Sequence, residues 1–289
     1  MKIVDPHLHL FDLNQGQYFW LKPQNPPFWL DKSIIQRNFT EQDLTLTSPM
    51  QLAGFVHIEA GFNNQKPHEE IDWLEKHCTL PFKSVAFADL TSLEFAQNIK
   101  RLTQRTSVSG IRHILDEQAD DILSAKLTAK HFALLAENGL SFDLQMPVDN
   151  TQAVTKLIVL AKQHPELKII INHAGWPPDN SNRGLYNQWF ESIQKLASLP
   201  NIGIKLSAWE MCNRKWEIPW LIQVLQDCLD VFGELRVMLA SNFPLCLFSK
   251  SYQELWQVYN QLVDILDIDR LRHITYTNAI NWYGLKVIT

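Results

Sequence analysis

The sequence predicts an α/β fold of the (β/α)8 TIM-barrel type, a single domain over residues 1–289, and three observations predict it. Short apolar strands alternate with amphipathic helices almost from end to end of the 289 residues. Such alternation means parallel pairing, because parallel strands need a long crossover that is usually a helix. Eight units of this kind in one chain of this length favour a closed barrel over an open sheet. The competitor is a doubly wound sheet, but its glycine-rich phosphate turn after the first strand is missing, since His7-Leu8-His9 stands there.

The elements follow in order. The first strand is Ile3–Leu8, led in by the β-branched Ile3 and Val4. Side chains alternate faces along a strand, so His7 and His9 project together off its C-terminal end, roughly 6–7 Å apart. Residues 12–39 are the longest irregular stretch, rich in proline, asparagine and aromatics. With Trp20, Phe28, Trp29 and Leu30 to bury, this long first loop reads as a cap over the barrel mouth. The second strand, 53–59, ends in His57 and Glu59, and a helix over 69–77 follows. The third, 84–89, ends in Asp89 before a helix over 93–105. The fourth, 108–112, ends in Arg112, with His113 turned towards the helices. Asn138-Gly139 closes the next helix, 129–137. The fifth strand, 141–145, sets Asp143 and Gln145 on one face, alternating with Phe142, Leu144 and Met146. In the helix over 151–163, Val154, Leu157, Ile158 and Ala161 share one face, Asn150 or Thr151 caps the start, and His164-Pro165 marks the stop. The sixth strand, 168–173, ends in His173, with a helix over 186–199. The seventh, 203–207, carries Lys205 and Ser207 and precedes a helix over 220–232. The eighth, 236–241, leads to Asn242, and the last helix covers 252–266.

Composition narrows the function. The net charge is −5 and no basic stripe appears, so a nucleic-acid partner is not expected. No apolar run reaches membrane-spanning length. The N-terminus enters a strand at once, leaving no room for a signal peptide, so a cytoplasmic location is expected. The four scattered cysteines lack a Cys-x-x-Cys and read as reduced thiols. Five of the ten tryptophans, Trp20, Trp29, Trp176, Trp209 and Trp282, fall near strand ends or in loops. Rigid aromatics there line a pocket or plug the barrel ends. A small-molecule substrate is the expected partner, and a homo-oligomer is left open.

In a barrel of this kind chemistry sits at the C-terminal ends of the strands. Charged residues facing its interior are costly unless paired, hydrogen-bonded or metal-bound. Lys205, Arg112, Glu59 and Asp89 read as an internal ion-pair network on one view. Three histidines with carboxylates at one rim are more economically a catalytic pocket. His7, His9 and His173 are its natural metal ligands. Neutral imidazoles favour Zn2+ or a similar divalent transition ion, with an open position for water. His57 reads as a ligand-binding residue or as the partner that orients a metal-bound histidine. Asp143, Gln145 and Trp176 join the candidate substrate pocket. His68, His77, His131, His164 and His273 read as surface or helix-end residues.

Several segments together resemble the amidohydrolase-related family of (β/α)8 hydrolases, in the branch of sugar lactonases and pyrone-dicarboxylate lactonase. They are Asp5-Pro6-His7-Leu8-His9-Leu10-Phe11-Asp12, Gly110-Ile111-Arg112, Phe142-Asp143-Leu144-Gln145, Ile171-Asn172-His173-Ala174-Gly175, Lys205-Leu206-Ser207, Ala240-Ser241-Asn242-Phe243-Pro244 and Asn278-Ala279. The resemblance covers nearly the whole chain. It implies hydrolysis of a ring ester in a small acidic or sugar-derived lactone, with His7, His9 and His173 around the reaction centre. Some members of the branch hold one divalent metal there and others none. Arg112 and Lys205 are then placed to hold a substrate carboxylate or hydroxyl. The family's strand-eight aspartate, its general base, is Asn242 here, and an amide cannot take a proton at neutral pH. Asn242 still holds water or orients substrate. Either Glu59, Asp89 or Asp143 replaces the base, or a metal lowers the pKa of water, or hydrolysis has been lost. A metal-dependent decarboxylase and a non-catalytic ligand-binding barrel are the alternatives.

Overall fold

In the computed structural model, which describes residues 1–179 and 181–287, eight parallel strands pair in strict chain order. They are β1 (Lys2–Leu8), β2 (Gln51–Ile58), β3 (Phe82–Phe87), β4 (Val108–Ile114), β5 (Ser141–Gln145), β6 (Ile169–Ile171), β7 (Ile202–Leu206) and β8 (Val237–Leu239). The seam between β8 and β1 closes just past β8. Leu8 bridges Phe243 in parallel, the Asn242 N–H donates to the His7 carbonyl at 2.9 Å, and the His9 N–H donates to the Phe243 carbonyl at 2.6 Å.

Parity along the strands divides the core in two. Val4, Val56, Ile58, Val85, Ile170 and Met238 fill the barrel interior with Ala279, Tyr283 and Leu285 from the C-terminal segment. The opposite parity, including Ile3, Phe55, Ile111, Phe142, Ile169, Ile204 and Val237, packs under the helices. Lys205 lies between the outward Ile204 and Leu206, and Asp143 between the outward Phe142 and Leu144, so both point inward. β4 and β5 approach so closely that a Cβ at Gly110 would lie 2.1 Å from Ser141 Oγ.

The helices are α1 (His68–His77), α2 (Phe95–Leu102), α3 (Ala119–Ser124), α4 (Lys126–Glu137), α5 (Thr151–Gln163), α6 (Arg183–Ala197), α7 (Trp209–Cys212), α8 (Ile218–Phe232), α9 (Tyr252–Gln261), α10 (Ile268–Arg272) and α11 (Asn278–Tyr283). α5 has the expected bounds, and Asn150 caps it by accepting the Ala153 N–H at 3.1 Å. The expected helix 252–266 breaks after Gln261 into a 3-10 turn at Leu262–Asp264. Among the histidines expected at the surface or at helix ends, His131 departs from expectation. It is buried in α4, where its ring stacks on Phe95 with centroids 4.1 Å apart and its Nδ1 donates to the Leu90 carbonyl at 2.9 Å.

The first loop does cover the mouth, but with different anchors than expected. Phe28 and Leu30 are exposed, at 72% and 105%. Tyr18 and Phe39 carry the apolar burial instead, the latter through an antiparallel bridge to Phe11. The buried Lys32 ammonium donates to the carbonyls of Trp20, Lys22 and Asn25 and so ties the loop to itself. Arg214 grips Asp31 at 2.7 Å, and Trp29 packs edge-on against Phe248. No described helix is long and apolar enough to cross a membrane.

Candidate active site

A cavity of about 730 Å3 opens at the C-terminal ends of the strands. Its polar lining includes His9, His173, Asn242, Arg112, Glu59 and Gln145, and Trp20, Trp29 and Trp176 form walls. The size suits a small organic ligand. Five non-glycine residues at this rim hold left-handed backbone: His173, Ala174, Trp176, Ala208 and Asn242, with φ of 52–61°. Such conformations cost of order 1–3 kcal/mol each and cluster at functional sites. Asparagine tolerates this region better than most residues, which suits position 242. Gly175, at φ 67°, has no alternative, because a Cβ there would lie 2.6 Å from Val148.

The three imidazoles, two from the start of the chain and one from more than 160 residues on, meet. The His7 ring centroid lies 5.1 Å from that of His9 and 4.6 Å from that of His173. Each ring has its Nδ1 engaged. His9 Nδ1 lies 2.7 Å from the Ile58 carbonyl, which only accepts, so the proton sits on Nδ1 and the lone pair on Nε2. His173 Nδ1 lies 2.9 Å from Ser207 Oγ. His7 Nδ1 faces the Lys205 ammonium at 3.4 Å, while its Nε2 is buried without a partner. Burial is the first cause that holds all three rings well below the usual histidine pKa. The Lys205 charge adds to it at His7, and the Arg112 charge at His9 and His173.

Two buried ion pairs surround them. Arg112 donates through Nε to Glu59 Oε1 at 2.8 Å, through Nη2 to the Glu59 carbonyl at 2.8 Å, and through Nη1 to Gln145 Oε1 at 2.9 Å. Two of its five N–H groups stay uncommitted. Burial pushes Glu59 up to about 7, against the pull of Arg112. Deeper, Lys205 pairs with Asp143, and the Tyr283 hydroxyl donates to the same carboxylate at 2.9 Å. Lys205 and Asp143 therefore lie below the cavity rather than in its lining.

The remaining expectations sort by parity. His57 does not reach the cavity. It lies between the inward Val56 and Ile58, so it faces α1, where Nδ1 accepts the Leu10 N–H and Nε2 donates to Glu70 at 3.1 Å. Burial drives His57 down to about 3 and Glu70 up to about 8, so the pair is neutral. Asp89 also stays outside, because β3 ends at Phe87 and the carboxylate turns back to accept from Thr91. His113 does the reverse. β4 runs on to Ile114, and both residues reach the cavity wall. Besides Glu70, a buried acid beside the cavity escaped the sequence reading. Glu210 in α7 accepts the Asn242 Nδ2–H at 2.7 Å. It lies in a four-residue helix with no periodic signal, so nothing in the pattern marks it.

The resemblance allows a divalent metal among these histidines. The unpartnered His7 Nε2 is the kind of atom a cation would satisfy. Yet among the described residues no group of three or more His, Cys, Asp or Glu side chains is disposed to hold a metal ion. The Lys205 ammonium, 3.4 Å from Nδ1 on the other side of the same ring, adds positive charge near any cation held at Nε2. As arranged, these side chains do not offer the set of three donors that a divalent metal needs.

Comparison with known proteins agrees with this architecture. An uncharacterized protein of Sinorhizobium fredii, y4mH, is 27% identical over 97% of this chain and 98% of its own. An L-fucono-1,5-lactonase of Burkholderia ambifaria is 26% identical over 81% of each chain. Among solved structures, an amidohydrolase of Burkholderia multivorans with bound zinc superposes with a TM-score of 0.83 at 19% identity, over 99% of this chain and 100% of that one. Residues 4–285 match the Amidohydrolase family model, and the chain belongs to that family, with relatives on its lactonase side.

Proposed function

We propose that this protein is a hydrolase that opens the ring ester of a small sugar-derived or carboxylated lactone by attack of a positioned water. The observation that carries the reading is the meeting of His9, His173 and Asn242 in one cavity lining, with the buried His7 ring packed against both imidazoles from behind.

The chemistry follows from the hydrogen bonds. Asn242 commits its Nδ2 to Glu210, which leaves Oδ1 as the atom for the cavity. His9 presents a lone pair on Nε2, because Nδ1–H is held by Ile58. A water between the two donates a hydrogen bond to Asn242 Oδ1, keeping that proton, and transfers its other proton to His9 Nε2 as its oxygen bonds to the ester carbonyl carbon. The resulting imidazolium lies between two carbonyl oxygens, those of Ile58 and Asn242, which favour its protonated form. Arg112, with two uncommitted N–H groups in the cavity wall, supplies charge to the developing oxyanion. The proton then passes from His9 to the departing ring oxygen. In this reading Asn242 orients the nucleophile and the base has moved to His9. Asp143 is unsuited to that role, since Lys205 and Tyr283 already occupy it.

The test is a panel of aldono- and pyrone-type lactones, followed by acid release, with wild type and His9→Asn. Turnover by wild type that falls about 10^2–10^4-fold in His9→Asn is expected. No turnover on the panel, or CO2 release from an aromatic acid instead, overturns the reading.

A further inference from the structure

Behind Asn242 lies a buried acid that the reaction above does not use. Glu210 is 1% exposed and stands two residues after Ala208, whose left-handed backbone turns the chain off the end of β7. Its Oε1 receives the Asn242 Nδ2–H at 2.7 Å. The Asn242 backbone is fixed separately, by its N–H to the His7 carbonyl and its carbonyl to the Leu245 N–H. The side-chain amide is therefore the one part of Asn242 still free to turn over.

We propose that Glu210 is a positioning residue that holds the Asn242 amide oxygen towards the cavity, and that the amide turns over when Glu210 takes up a proton. The inference rests on the reading of Asn242 as the residue that orients the attacking water. An ionised carboxylate only accepts, so the amide must offer it nitrogen and present oxygen to the cavity. A protonated Glu210 donates, so it receives the amide oxygen and the nitrogen faces the cavity instead. An acceptor is thereby exchanged for a donor at one point, with no change in shape.

The surroundings leave Glu210 as the group that titrates. Arg214 faces it and favours its charged form. The buried Cys246 and Tyr259 and the exposed Cys212 also feel its charge, which helps to raise each of them above its ordinary range. His9, on the far side of Asn242, is neutral as well. Burial lifts Glu210 to about 7, so both forms exist near neutrality. The acceptor form prevails above that pH and the donor form below it.

Selective 15N-asparagine labelling tests this on the intact protein. The Asn242 side-chain amide signal is identified by its loss in Asn242→Ser. In wild type it is expected to shift with pH around a midpoint of about 7. In Glu210→Gln it is expected not to respond, and in Arg214→Met the midpoint is expected to move up. A signal that is flat in wild type, or that titrates alike in Glu210→Gln, overturns the proposal. So does an unmoved midpoint in Arg214→Met, which needs no change at Glu210. On a hydrolysed lactone, kcat should fall as pH drops through about 7 in wild type and lose that limb in Glu210→Gln. A titrating amide with no lactone turned over defeats the proposed function and leaves this inference standing. Lactone turnover with a flat amide does the opposite.

Discussion

Replacing Lys205 with methionine removes one half of an ion pair that has no solvent exposure on either side. Methionine keeps the unbranched length and most of the volume, so the cavity term is small. What remains is the Asp143 carboxylate inside the barrel, with the Tyr283 hydroxyl as its surviving hydrogen-bond donor. Breaking a buried pair in this way costs roughly 3–5 kcal/mol, because a charge is left uncompensated. Total stabilities run to about 5–15 kcal/mol, so the loss is a large fraction of the whole. At roughly 2–3 °C per kcal/mol it corresponds to a fall in Tm of roughly 6–15 °C. Urea unfolding followed by tryptophan fluorescence reads it. The combined variant Lys205→Met, Asp143→Leu, Tyr283→Phe replaces the polar set by apolar groups and is expected to recover to within about 1 kcal/mol of wild type. A loss under about 1 kcal/mol, or no recovery in the combined variant, would refute the assignment of an energetic role to the buried charge.

Three further outcomes are expected. Exhaustive chelation should leave lactone turnover within about twofold of its starting value, and a tenfold loss reversed by Zn2+ would show that the imidazoles regroup around a metal. Asn242→Asp sets a second carboxylate against Glu210, so the two share one proton and one of the pair titrates far above the usual carboxylate range. That variant should change kcat at least tenfold, and an unchanged pH–rate profile would count against the contact. Finally, Glu59 and Glu70 titrate at about 7 and about 8 in the fold. A raised carboxyl contributes stability that is full below its unfolded pKa and is lost as pH rises through the folded value. The buried histidines work in the opposite sense, but their effect is complete above about 6.5. Tm should therefore decline between about pH 6.5 and 8.5, and a rise over that window would contradict the buried-acid account.

The barrel was legible because period-two and period-3.6 patterns alternate so regularly. β5 and α5 lie on their expected bounds, and the other strands shift by at most two residues at either end. The three site histidines were legible as residues at strand ends, although parity alone does not place them: β1 is irregular between Asp5 and Leu8, and His9 and His173 lie just past β1 and β6, where left-handed backbone at His173 redirects its ring. His57 was misplaced because the expectation carried one parity through Glu59, whereas β2 ends at Ile58 and the chain changes direction there. Asp89 failed for a similar reason at the end of β3. The burial of the cap was unreadable in detail, since nothing local separates the exposed Phe28 and Leu30 from the buried Tyr18 and Phe39. Glu210 left no signal at all, because a short helix after a strand has neither period nor motif. Its position became visible only once Asn242 was seen to need a partner.

The bonds that join the two ends of the sheet run through Asn242 and Phe243 to the main chain of His7 and His9. Ring closure and assembly of the pocket are thus one event. A refolding chain acquires no partial site before its last strand docks, so recovered turnover reports completion of the barrel itself. For the same reason a circular permutant cut in the 240–245 segment would unfasten both at once, while one opened in the turn at 103–107 would disturb neither.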